Sequence, residues 1–140
     1  MMEGEEMGEV INAYKGFNKD MTCTPAGVVF QYEEGKEYET ENVNVCHEGF
    51  HACEYPLDVF GYYAPASSVF HEVELSGKVD RDGDGNKVAS SKIKIGASIN
   101  IAGIVKAAIE YTNARVEKRR TKHNTGYRGA LKIQSKILGK

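Results

Sequence analysis

The stretch KVASSKIKIGASINIAGIVKAAIEYTNARVEKRR, residues 87–120, decides the fold class because its hydrophobic period changes along its length. Isoleucines alternate with lysines at residues 92–95, and a period of two is typical of a half-buried β-strand. Ser98 or Asn100 is then expected to cap the start of a helix. The helix is predicted near residues 100–120, because the spacing of six residues places them on one helical face. They are Ile101, Ile104, Val105, Ala108, Ile109 and Thr112.

Shorter segments on the N-terminal side of this stretch complete the picture. Pro56 suits the first position of a helix and Asp58 its first turn, so a short helix is predicted near residues 55–63. Alternating or β-branched runs predict strands near residues 10–17, 27–32, 37–38, 43–45 and 67–77. Strands and helices follow one another without a βαβ rhythm. The expected class is therefore α+β, with a mostly antiparallel sheet.

The length of 140 residues fits one domain. We expect a disordered acidic N-terminus over residues 1–9, a single α+β domain over 10–120 and a basic C-terminal segment over 121–140. No run of apolar residues is long enough to cross a bilayer, and the acidic start does not resemble a secretory signal. The sequence therefore predicts a cytoplasmic protein with no membrane partner.

The overall net charge of −2 hides a strong separation of charge along the chain. Residues 1–80 carry a net charge of −12 and residues 81–140 a net charge of +10. The basic part can neutralise the acidic part within the molecule, or it can bind nucleic acid or an acidic partner. Candidate binding residues in the basic part are Arg115, Lys118, Arg119, Arg120, Lys122, Tyr127 and Arg128.

Two clusters offer metal ligands, each with a simpler alternative. Asp80, Asp82 and Asp84 match the opening of a calcium loop, but position 12 of the loop lacks the bidentate Glu, so an acidic turn between strands explains them as well. Cysteine and histidine side chains also cluster at residues 46–53, without the spacing of a zinc finger. Buried thiols and a hydrogen-bonded imidazole are the alternative there. Calcium and zinc are therefore not expected.

Several segments resemble an uncharacterised family of phage and prophage proteins. They are AYKGFNKDMTC at 13–23, GFHACEYPLDVFGYY at 49–63, VELSG at 73–77, KVASSKI at 87–93 and IVKAAIEYT at 104–112. The resemblance implies a phage-encoded protein but no particular activity. Longer members of this family resemble the same domain followed by tandem GYxGA repeats, and GYRGA at 126–130 is similar to one such unit.

A second resemblance, at the level of pattern, is to ADP-ribosyltransferase-like domains. The opening Tyr-Lys-Gly, a Gly-Phe-His before a short helix that ends in tyrosines, and a later Glu-x-Glu carry it. The resemblance implies that Lys15 stands where an Arg or His holds NAD, that Tyr62 or Tyr63 lies near the stacking position, and that Glu74 takes the acidic position. Lysine departs from the family pattern, which favours a degenerate nucleotide-binding pocket over an active transferase.

These observations lead to three hypotheses. The first is a small phage-encoded protein that binds a host protein or nucleoprotein complex and inhibits an antiviral defence system, as an anti-CRISPR protein or an antagonist of a nucleotide signal does. It acts by binding rather than catalysis and needs no cofactor. The second is an ADP-ribosyltransferase-like domain that binds NAD or another nucleotide. The third is a structural part of the virion.

Overall fold

A computed structural model describes residues 9–24, 27–41, 43, 49–81 and 87–123, with side chains as far as residue 119. Along the chain, the described elements are β1 (Ile11–Asn18), β2 (Thr22–Cys23), β3 (Phe30–Gln31), β4 (Glu37–Glu39), β5 (Phe50–Ala52), two 3-10 helices (Pro56–Gly61 and Pro65–Ser67), β6 (Ser68–Arg81), β7 (Val88–Ser98) and α1 (Ile101–His123). The chain divides into two units, Met1–Ala108 and Ile109–Lys140.

One antiparallel sheet contains most of the strands, in the order β1-β6-β7-β4. Strand β7 is long enough to serve two partners on one edge, β5 near its start and β4 further along. Strands β2 and β3 form a separate two-stranded sheet. The structure confirms the α+β class with a mostly antiparallel sheet, a short helical turn and a long C-terminal helix.

The main sheet curls until its two ends meet. Strand β1 pairs with β6 on one edge, and at its other edge Tyr14 forms an isolated antiparallel bridge with Cys53, just after β5. Two backbone hydrogen bonds make this bridge, each 2.8 Å long between the nitrogen of one residue and the oxygen of the other. We call this junction of β1 with the end of β5 the seam.

Alternation along the strands places the main core on one face of the curled sheet. Ala13 and Phe17 of β1 lie on the same side as Val73 and Leu75 of β6, and all four are buried. Aromatic rings from β3, β4, β5 and the residue after β3 complete this core, namely Phe30, Tyr38, Phe50 and Tyr32. A second apolar cluster, around Val59, joins the first 3-10 helix to the sheet and to the start of α1.

The first helical turn after the seam is a 3-10 helix rather than the two-turn α-helix that the spacing indicated. The Asp58 nitrogen donates to the Tyr55 carbonyl, and the Tyr62 nitrogen donates to the Val59 carbonyl, which are 3-10 bonds between residues three apart. The turn begins at Pro56 as predicted. It ends with one α-type bond, in which the Tyr63 nitrogen donates to the Val59 carbonyl at 2.9 Å, and Pro65 starts a second 3-10 helix shortly afterwards.

Helix α1 starts where the sequence indicated, but it buries a narrower face. The Asn100 side chain accepts a hydrogen bond from the Gly103 nitrogen at 2.8 Å, so Asn100 is the cap. Ile104 and Ala108 are buried, whereas the other isoleucines and the valine of the predicted face, Ile101, Val105 and Ile109, are exposed. No helix in the described part of the chain is long and apolar enough to span a membrane.

Candidate binding pocket

A cavity of about 180 Å³ lies at the seam. Its floor comes from β1, one wall from β5 and the residues after it, and another wall from the first 3-10 helix and its end. Lys87 contributes from the residue before β7. The pocket therefore depends on closure of the sheet, because segments far apart in sequence supply its walls.

Lys15 is the charged group at the base of this cavity. Alternation in β1 places it on the core face, beside Ala13 and Phe17, and its exposed fraction is only 8%. Its Nζ donates to the His51 carbonyl at 2.6 Å and lies 5.8 Å and 5.6 Å from the ring centres of Phe17 and Tyr32. Burial lowers the pKa of this amine, and the nearby positive charge of Lys87 lowers it further.

Tyr63 forms the apolar wall of the pocket, and Gly16 explains how it lies so close to β1. A Cβ atom at residue 16 would lie 2.7 Å from the Tyr63 Cβ, a distance that real side chains do not adopt. Burial raises the pKa of the Tyr63 phenol, so the group stays protonated at neutral pH. Glycine at residue 16 is therefore a condition for this wall.

Tyr62 and Lys87 lie together in the more open part of the lining. The Tyr62 side chain is exposed, and the Lys87 Nζ lies 4.5 Å from its ring centre. This distance is typical of a cation–π contact. A second ammonium group and a second tyrosine ring therefore contribute to the lining of this cavity.

Two free thiols, Cys23 and Cys53, line the same cavity, and both are buried. The Cys23 Sγ donates to the Gly16 carbonyl over 3.6 Å. Burial, reinforced by the nearby Asp58 carboxylate, raises the pKa of Cys53 to about 12. The Cys53 thiol is therefore protonated at neutral pH, which makes it a poor nucleophile.

The structure gathers three of the four residues that the ADP-ribosyltransferase resemblance selected. Lys15, Tyr62 and Tyr63 all line the pocket. Glu74 does not, because it projects from β6 on the opposite face of the sheet from the core, in register with Asn12 and Lys94. Among the described residues, the lining of this pocket contains no carboxylate.

A sequence model of one protein family matches residues 11–107, which is most of the chain. The family is described as Domain of unknown function (DUF7666). The chain belongs to this family. No curated protein and no solved structure matches the chain. Every residue of the pocket lies inside the matched segment, from Tyr14 to Lys87.

The candidate metal ligands lie within the DUF7666 segment, but the structure describes only part of them. Asp80 is in β6, opposite Ala89, whereas Asp82 and Asp84 fall outside the described residues. Of the clustered cysteines and histidines, those at 46 and 47 also fall outside them. In the ranges that the structure covers, no three His, Cys, Asp or Glu side chains could hold a metal ion together.

The basic candidates lie beyond the DUF7666 segment. Arg115, Lys118 and Arg119 are exposed on α1, and the Arg115 guanidinium lies 3.6 Å from the ring centre of Tyr111. The helix backbone continues through Arg120 and Lys122, whose side chains lie outside the described residues, as do Tyr127 and Arg128 entirely.

Sequence reasoning missed three contributors to the pocket, namely His51, Cys53 and Lys87. It considered the first two as metal ligands or as packed core groups, with Cys53 and a histidine also as a weak nucleophile pair, and it did not consider the third. A usable signal was the period of two in β1, since Ile11, Ala13 and Phe17 mark a buried face on which Lys15 must also lie. The approach of β5 to β1 left no local signal, because the bridge joins distant residues.

Proposed function

We propose that this protein is a binding module that holds a small anionic ligand of the nucleotide class in the Lys15 pocket and releases it unchanged. The observation that carries this proposal is a buried amine in an open cavity whose described lining contains no carboxylate. Buried charges in proteins are normally paired. A ligand with a phosphate or carboxylate group supplies the missing partner.

The charges of the pocket favour an anion over a cation. Lys15 at the base and Lys87 beside Tyr62 present two amines to the same cavity. Desolvation makes the ammonium form of Lys15 costly in the free protein, and a bound anion offsets that cost. Binding of an anion is therefore expected to be accompanied by uptake of a proton at Lys15.

The size and the aromatic wall favour one planar ring or one phosphate group as the part of the ligand that enters. Pockets that enclose a whole drug-sized ligand usually measure about 300–1,000 Å³. At about 180 Å³, this cavity suits a fragment such as a base or a nicotinamide ring, with the rest of the nucleotide outside. Tyr62 and Tyr63 offer rings for contact with such a group.

A binding role, rather than a transferase reaction, is supported by the placement of the carboxylates and the thiols. Glu74 lies on the other face of the sheet, and the Cys53 thiol is protonated at neutral pH. Neither can act on a ligand in the pocket as the acidic residue of a transferase or as a nucleophile.

The sequence resemblance supplies a biological setting for this proposal. In a phage-encoded protein of the host cytoplasm, a pocket of this chemistry serves to sequester a nucleotide signal of an antiviral defence system. This setting unites the nucleotide-binding hypothesis with the anti-defence hypothesis. Inhibition by direct contact with a host protein and a structural role in the virion are the competing settings.

Titration calorimetry with NAD, ADP-ribose and cyclic nucleotides tests the proposal. We expect at least one of these to bind, and we expect Lys15→Met to weaken it roughly 10- to 150-fold, since a hydrogen bond to a charged group is worth about 1.5–3 kcal/mol. Lys36→Met is the matched control, because Lys36 is exposed and lies 3.4 Å from Glu33. Absence of heat with every ligand, or equal losses in both variants, would overturn the proposal.

The exposed basic side chains of α1 favour a second candidate function, which is binding of nucleic acid. Arg115, Lys118 and Arg119 can contact phosphates without any fold signature. Replacement of all three by Glu should abolish retention of a labelled oligonucleotide and its dependence on salt. Retention that persists unchanged, or that does not respond to salt, would exclude this function for the helix.

A further inference from the structure

We propose that Lys15 is also a nucleophile, which forms a covalent imine with a small aldehyde or ketone that carries an anionic group. This goes beyond reversible binding, and it uses the amine at the base of the pocket as a reacting group. It requires the cavity and the position of Lys15, and it does not depend on a nucleotide as the natural ligand.

The position of the amine is the first ground for this inference. Its Nζ is held at 2.6 Å from the His51 carbonyl, and the rings of Phe17 and Tyr32 lie on its flanks. In the neutral amine, donation of one N–H to that carbonyl leaves the lone pair pointing in another direction. Lys15 is part of the cavity lining, so a small molecule in the cavity lies against this side chain.

The surroundings of the amine are the second ground. Reactive lysines in proteins are desolvated in apolar pockets or placed beside another cation, and Lys15 has both features. Burial is the larger cause of its lowered pKa, and Lys87 adds to it. The described lining holds no carboxylate that would keep the group protonated. The neutral amine is therefore more available at Lys15 than at a surface lysine.

The reaction needs no further reagent. The Nζ lone pair forms a bond to the carbonyl carbon, and the carbonyl π electrons move to its oxygen, which takes up the proton that the nitrogen loses. The resulting carbinolamine breaks its C–O bond while the nitrogen lone pair forms the C=N bond, and the departing hydroxyl takes the second N–H proton and leaves as water. No oxidant or reductant takes part, so the imine is reversible.

Lys87 determines which carbonyl compounds fit. It contributes a second ammonium group to the lining, close enough to act on Lys15 through its charge. A carbonyl compound with a carboxylate or phosphate group can place that anion near Lys87 and its carbonyl carbon near Lys15. A neutral aldehyde of the same size lacks this orientation and should react more slowly.

Trapping with glyoxylate, an aldehyde that carries a carboxylate, tests the inference. The intact protein is incubated with glyoxylate and cyanoborohydride, and the modified lysines are identified by peptide mass mapping. We expect Lys15 to be modified at least tenfold faster than Lys36, and to react faster with glyoxylate than with the neutral aldehyde propanal. Modification of Lys15 no faster than of Lys36 would overturn the inference.

Two variants separate this inference from the proposed function. Lys15→Met should remove the fast modification, and a thermal melt checks that the variant folds. Lys87→Met, which keeps the Lys15 amine, should reduce the preference for glyoxylate over propanal. If nucleotides bind in a Lys15-dependent way but Lys15 is not trapped, the imine fails and the binding proposal stands. If Lys15 is trapped but no nucleotide binds, the reverse holds.

Discussion

Lysine side chains on the two faces of the main sheet have different environments. On the outer face, Lys94 of β7 lies in register with Glu37 of β4 and Glu74 of β6, so positive and negative side chains alternate across three strands. On the core face, Lys15 is buried, and no carboxylate lies among the described residues of its pocket. Both lysines occupy strands at inter-strand pairing positions, yet only one has acidic neighbours in register.

This difference in environment indicates that Lys94 contributes to the stability of the fold, whereas Lys15 is placed to contact a ligand. Alternating charges on an exposed sheet face contribute modestly to stability and to the specificity of strand pairing. A desolvated amine without an acidic neighbour costs stability, and such costs are characteristic of functional sites. His71, the cross-strand neighbour of Lys15, is buried too. Its Nδ1 donates to the Gly96 carbonyl at 2.9 Å, so this imidazole has a hydrogen-bond partner within the fold.

The largest effect should come from closing the space between the pocket wall and β1. Gly16→Ala places a Cβ 2.7 Å from the Tyr63 Cβ, so Tyr63 must move. We expect a loss of about 1–3 kcal/mol in the free energy of unfolding, as is typical of overpacking, together with weaker ligand binding. Urea denaturation and calorimetry measure the two effects.

Gly61→Ala is the control for this variant, because a Cβ there would meet nothing within 4 Å. It should change the unfolding free energy by less than about 0.5 kcal/mol, as surface substitutions do. Equal effects of the two alanines would mean that the Tyr63 wall is not fixed by its contact with β1.

A smaller effect should distinguish Lys15 from Lys94 by the pH dependence of the unfolding free energy. Lys15→Met removes a desolvated amine, so we expect the variant to be about 1 kcal/mol more stable than the wild type near pH 7. The pKa of Lys15 is lowered in the folded state, so the unfolded chain binds more protons between that lowered pKa and the ordinary lysine pKa of 10.5. Wild-type stability attributable to Lys15 therefore rises with pH in this window, by at most about 1.4 kcal/mol per pH unit.

The stability difference between wild type and Lys15→Met should thus shrink as the pH is raised towards 10.5, as measured by urea denaturation. Cys53 has the opposite trend, because its raised pKa makes the fold less stable as pH increases above about 9, and the comparison is therefore made in a Cys53→Ala background that lacks this contribution. For Lys94→Met, which lies on the outer face, the difference from wild type should stay constant. A constant difference for Lys15→Met as well would show that the amine keeps its ordinary pKa.

The smallest effect should follow from Glu74→Gln. Because Glu74 lies on the face opposite the core, its neutralisation should change the affinity for any nucleotide less than twofold. Calorimetry beside Lys15→Met provides the measurement. A tenfold loss in Glu74→Gln would restore this carboxylate to the site and revive the correspondence with a transferase.

Much of the fold could be predicted from the sequence, because the strands and α1 have clear local periods. The cap at Asn100 and the start of the 3-10 helix at Pro56 follow from local chemistry. The exposed side of α1 could not be predicted, since Val105 shows the same helical spacing as buried Ile104. Only Ile104 and Ala108 of the predicted apolar face are buried, so the buried side of the helix is narrower than its composition indicates.

For the pocket, some of the residues could be predicted from the sequence, but their proximity to one another in the fold could not. Lys15 and the paired tyrosines stood out in the sequence, whereas Lys87 joins them only because β7 begins beside the seam. Glu74 was selected by the resemblance to ADP-ribosyltransferase-like domains, whereas alternation in β6, with Val73 and Leu75 buried, already places it on the outer face. The remaining information lies in long-range strand pairing, which no local pattern records.

The two hydrogen bonds between Tyr14 and Cys53 also determine when the pocket exists during folding. A chain whose sheet has paired but not yet closed has β1 and β5 apart, so the amine and its enclosing walls do not yet face one another. A ligand of this cavity would therefore recognise only molecules that have completed folding, and would trap them in that state by mass action.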